Sequence, residues 1–107
     1  MRYNIIGDLH ARTSWKDLVL DDAVNIFVGD YFSPYHYIPF EDQEKNFLEI
    51  IQYKKDHPQT ILLVGNHDED HWHICERYSR HDGVNLPRIQ KLFEDNKDLF
   101  QAAYSIE

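Results

Sequence analysis

Three short β-rich runs set the strongest constraint on how this chain folds. Residues 2–6, 24–28 and 60–64 each stop at a glycine, and each glycine leads directly into polar side chains. Gly7 leads to Asp8 and His10 in "GDLH", Gly29 to Asp30 in "GDY", and Gly65 to Asn66, His67 and Asp68 in "GNHD". Glycine at such a point permits a tight turn or a close backbone approach. The third run, "TILLV", is too apolar to alternate, as expected where both faces of a parallel sheet are covered.

Helical spacing fills the intervals. Thr13 or Ser14 is available as an N-cap ahead of Trp15, Leu18 and Val19. Residues 40–56 carry Phe40, Phe47, Leu48 and Ile51 on a predicted stripe. Glu41, Asp42 and Glu44 lie at the start of that segment and Lys54 and Lys55 at its end, an order that suits the helix macrodipole. His57-Pro58 ends that helix. "LPRIQKLFEDN" predicts a helix with Pro87 near its start and Ile89, Leu92 and Phe93 buried. "KDLFQAAYSI" reads as a short helix or the start of a fourth strand. The alternation β-α-β-α-β-α over short connections predicts an α/β fold, a parallel sheet with right-handed crossovers and helices on both faces. Ligands of such sheets bind beyond the carboxyl ends of the strands, where all three polar clusters fall.

A length of 107 residues suits one domain. No apolar run reaches the ~20 residues of a membrane span, and a strand pattern from Arg2 leaves no room for a leader, so a cytoplasmic protein with no membrane partner is expected. Cys75 is the single cysteine, which excludes an intramolecular disulfide and a thiolate cluster. The net charge of -8 argues against bulk nucleic-acid binding. Two bound divalent cations would return +4 locally and make an acidic pocket attractive to phosphate.

Carboxylates, imidazole and a carboxamide oxygen suit divalent Mn, Fe or Zn. A carboxylate can bridge two such ions, and paired ions clamp the oxygens of an in-line phosphoryl displacement. With "GDLH" at 7–10, "GDY" at 29–31 and "GNHD" at 65–68 in this order, the sequence resembles the calcineurin-like metallophosphoesterases. The resemblance implies a dinuclear metal site with Asp8 and His10 on the first ion, Asp30 bridging and Asn66 on the second. It implies His67 as the catalytic histidine and hydrolysis of a phosphate monoester or diester by a metal-activated hydroxide.

The chain also departs from the family pattern. Ser33 stands where many relatives carry a second acid, the arginine of the protein-phosphatase motif is absent, and no GHxH-like motif follows. Residues 1–107 are therefore expected to form a single truncated domain, half of a metallophosphoesterase-like sandwich. The alternative function is a catalytically inactive remnant acting as a binding or regulatory protein. A sheet cut short exposes an edge, so a homo-oligomer is expected alongside the phosphorylated substrate as partner. Asn66 also suits a turn cap. His36, His71, His73 and His81 read as exposed histidines, Cys75 as a small buried hydrophobe, and Tyr31, Phe32, Tyr35 and Tyr37 as aromatics that pack their loop.

Overall fold

The computed structural model describes residues 2–7, 9–32, 34, 36–64 and 85–102. Four strands form one sheet in the order β1-β2-β3-β4: β1 Tyr3–Ile6, β2 Val24–Phe27, β3 Ile61–Val64 and β4 Phe100–Ala102. All three pairings are parallel, with Ile6 opposite Phe27, Phe27 opposite Leu62 and Leu62 opposite Phe100. The connections hold α1 Trp15–Leu18, α2 Phe40–Asp56 and α3 Leu86–Asp95, and a 3-10 turn at Lys97–Leu99 leads into β4. The segment "KDLFQAAYSI" thus supplies both of its expected forms in sequence, a short helical turn and then a strand.

The parallel α/β class is as the alternation predicts. The three described helices, however, gather on one face. Trp15 of α1 meets Phe27 edge-on at 5.8 Å, Tyr53 of α2 meets the same ring at 6.4 Å, and Phe47 of α2 meets Phe93 of α3 at 5.2 Å. Strand order supplies the reason. When each strand is added beside the last in one direction, crossovers of a single hand all return over the same side of the sheet. The opposite side carries Tyr3 and Ile5 of β1, which are 63% and 70% exposed. Both belong to the edge strand.

The core beneath the helices is aromatic. Phe27, Phe47 and Phe93 are fully buried, with Tyr31, Phe32, Ile50, Leu62 and Ile89 around them. Edge-to-face ring pairs add about 0.5–1.5 kcal/mol each beyond the area they bury. Tyr31 makes such contacts with Phe47 and Phe100, and its hydroxyl donates to the Leu63 carbonyl at 2.8 Å. Phe32 packs on Phe40, Phe47 and Phe93. These two rings therefore pin the loop after β2 to the body of the domain. Tyr37 is 87% exposed and takes no part in this, and Tyr35 lies outside the described residues.

Helix α2 has the bounds its sequence predicts, but its buried face is rotated. Phe40, Gln43, Asn46, Phe47, Ile50 and Ile51 are buried, whereas Leu48 is 45% exposed. At about 100° per residue those six positions form one arc, and Leu48 falls beside it. His57 closes the helix as expected: its amide donates to the Tyr53 carbonyl at 2.9 Å, and its ring stacks on Tyr53 at 4.1 Å. At α1, Ser14 occupies the cap position without a side-chain cap bond.

Burial pushes the Tyr53 phenol above its ordinary value of 10.0, and the negative charge of Asp21 acts in the same direction. A phenol that is harder to ionise when folded contributes stability that is present below pH 10.0 and is lost as pH rises through its folded value. Urea midpoints measured across this alkaline range should fall more steeply for the native chain than for Tyr53→Phe. Parallel slopes would contradict the assignment.

Candidate functional site

The site begins where the strand pairing of β1 and β2 outlasts the strands. Beyond Ile6 and Phe27 the two loops continue side by side: Leu9 N donates to Gly29 O at 3.4 Å, His10 N to Asp30 O at 2.6 Å, and Ala11 N to Tyr31 O at 2.9 Å. This continuation makes His10 and Asp30 neighbours through their backbones. Both are taken out of water, at 2% and 5% exposure. Ionisable side chains are seldom buried so completely without a partner.

The turn is conformationally costly. His10, Ala11 and Asp30 have φ of 49°, 64° and 55°, in the left-handed region that L-residues with a side chain avoid. Each such residue costs on the order of 1–2 kcal/mol and persists only where its surroundings over-determine it. Gly29 has φ 118°, so its lack of a Cβ is required. Gly7 is different. A Cβ built there meets nothing within 4 Å, so among the motif glycines the conformational argument applies at Gly29 and not at Gly7.

Two clefts flank the loop that follows His10. A cavity of about 460 Å³ is lined by Gly7, His10, Arg12 and Ser14, with Ile6, Leu9 and Leu18 supplying the apolar wall. A larger one of about 690 Å³ lies against α2 and includes Arg12, Lys16 and Lys45 opposite Asp17, Asp42 and Glu49. The larger cleft holds neither His10 nor Asp30, and its charges balance, so it offers no net attraction to an anion. The smaller one includes His10 in its lining, and Asp30 lines neither.

Of the residues the sequence singles out, His10 and Asp30 are brought together, while Asp8, Asn66 and His67 lie outside the described residues, as do His71, His73, Cys75 and His81. Among the described residues no three His, Cys, Asp or Glu side chains form a group able to hold a metal ion. The donor types that are in place, a buried imidazole and a buried carboxylate, suit a divalent cation with nitrogen and oxygen ligands. Asn46 is a residue whose bearing on the site the motifs do not signal. It is buried on α2 and bonded to the loop that follows His10.

The buried polar residues His10 and Asp30 thus lie beyond the carboxyl ends of adjacent parallel strands, the place where ligands of such α/β sheets bind. The model of the calcineurin-like phosphoesterase family matches residues 1–107, and the chain belongs to that family. No curated protein and no solved structure matches it.

Substitution separates the two glycines. Gly29→Ala should lower the unfolding free energy by about 1–2 kcal/mol, the cost of forcing a side chain into a left-handed conformation, whereas Gly7→Ala should stay within about 0.5 kcal/mol of the native chain. Urea unfolding of both variants measures this, and equal losses would contradict the distinction.

Proposed function

We propose that the chain forms a metal-dependent phosphoesterase centre that hydrolyses a phosphate monoester or diester. Support comes from membership of the family and above all from one observation: His10 and Asp30 are buried side by side on the loops after β1 and β2. In this reading Asp8, His10, Asp30 and Asn66 hold two divalent ions (manganese, iron or zinc). When bound, such ions supply Lewis acidity to the phosphoryl oxygen and bring the pKa of water towards neutrality.

The chain's own groups do the rest. The His10 imidazole would offer one ring nitrogen, and Asp30 has two carboxylate oxygens, the number a bridging ligand needs. Exclusion of water around both strengthens their electrostatic interaction with a cation. The backbone bond between the two residues fixes the loops that carry these ligands, and fixed ligands are what in-line positioning of a phosphoester would require. His67 delivers a proton to the departing oxygen as the phosphorus–oxygen bond breaks and the new one to hydroxide forms. A second copy of the chain is the proposed protein partner, meeting the uncovered edge strand β1 at Tyr3 and Ile5.

Calorimetric titration with Mn²⁺ and hydrolysis of an aryl phosphate or an aryl phosphodiester test the catalytic reading. Asp30→Ala should abolish tight uptake and hydrolysis together. His67→Ala should preserve uptake while lowering kcat by about 10²–10⁴-fold. Undiminished Mn²⁺ binding by Asp30→Ala would remove the bridge, and full turnover by His67→Ala would remove the acid. Sedimentation equilibrium should report dimers or larger species; a monomer at high concentration would contradict the self-association.

A further inference from the structure

We propose that Asn46, on the buried face of α2, is a positioning residue for His10, an inference that rests on the metal-dependent reading above. Asn46 is 2% exposed, and both ends of its carboxamide are engaged. Its Oδ1 accepts from the Trp15 indole Nε1 at 2.8 Å, and its Nδ2 donates to the Arg12 carbonyl at 3.1 Å. Residues 12 and 15 bracket the chain directly after His10 and Ala11. One side chain on a helix therefore grips the loop that carries the imidazole.

The grip is needed because of the backbone behind it. His10 and Ala11 are consecutive left-handed residues, and such a pair relaxes unless the chain on each side is fixed. On the strand side the parallel bonds to Asp30 and Tyr31 fix it. On the helix side three devices act on one short stretch: Arg12 N and Nε both donate to Leu9 O, at 3.0 and 2.9 Å, and Asn46 anchors Arg12 and Trp15 to α2. Trp15 is itself 4% exposed and wedged against Phe27 and Tyr53, so the anchor reaches the core. A mid-helix carboxamide here is not a generic polar surface group. Outer partners that orient a metal ligand change metal affinity by about 10–100-fold when removed.

Asn25 provides the control. It is equally buried, and it bonds to Asn4, Leu20 and Tyr53 at the amino end of β2, away from the carboxyl ends where His10 lies. Asn46→Ala and Asn25→Ala should both unfold at lower urea concentration. Only Asn46→Ala should weaken Mn²⁺ binding, by about 10-fold or more, and only it should speed hydrogen exchange of the His10 and Ala11 amides in the metal-free chain. Should Asn46→Ala fail to fold, Trp15→Phe removes one of the two bonds and keeps a ring in the core, and it should show the same two effects in smaller degree. Unchanged exchange and unchanged Mn²⁺ affinity in the folded Asn46 or Trp15 variant, or equal changes in the Asn25 control, would overturn the proposal. A native chain that takes up no Mn²⁺ would instead sink the metal-dependent reading, and the exchange measurement would still decide whether Asn46 holds the His10 loop.

Discussion

Parallel backbone pairing between the loops after β1 and β2 is the interaction on which the rest depends. Strands that run in register, Ile6 opposite Phe27, hand their alignment to the residues beyond them. Past the strands the chain turns through left-handed residues at His10, Ala11 and Asp30, and the bond from His10 N to Asp30 O makes these two residues neighbours. A parallel ladder keeps its spacing from one residue to the next. The sheet therefore decides which loops meet at its rim, and the backbone bonds between those loops decide which residues are neighbours there.

The rim is held against its own strain by the aromatic core. Tyr31 and Phe32 directly follow Asp30, and both are buried among rings from α2, α3 and β4. The left-handed turn at Asp30 is thus anchored on its far side by rings that cannot move without opening the core. On the neighbouring loop, Trp15 and Asn46 do the equivalent for His10. Local cost at a functional rim is offset by packing a few residues away, a pattern expected where geometry matters more than local preference.

Much of this was legible in the sequence, and the exceptions have physical causes. The bounds of α2 could be read because charge order and His57-Pro58 mark both ends. Its buried face could not be read from hydrophobicity alone, because Gln43 and Asn46 are buried for their hydrogen bonds and Leu48 is left outside. The placement of the described helices on one face follows from strand order, which periodicity does not encode. The importance of Asn46 was equally hidden, since an asparagine inside a helix looks like a surface residue until its partners are known. At the site, the adjacency of His10 and Asp30 was legible from the strand-end rule, whereas the left-handed turns that bring it about were not.

Anomalous X-ray scattering from Mn²⁺-soaked crystals addresses the central claim most directly, because it reports the position and the ligands of an ion together. The account predicts density for manganese in coordination contact with the His10 imidazole and the Asp30 carboxylate, on the rim beyond β1 and β2. Anomalous density confined to other carboxylates on the surface, with His10 and Asp30 untouched, would contradict it.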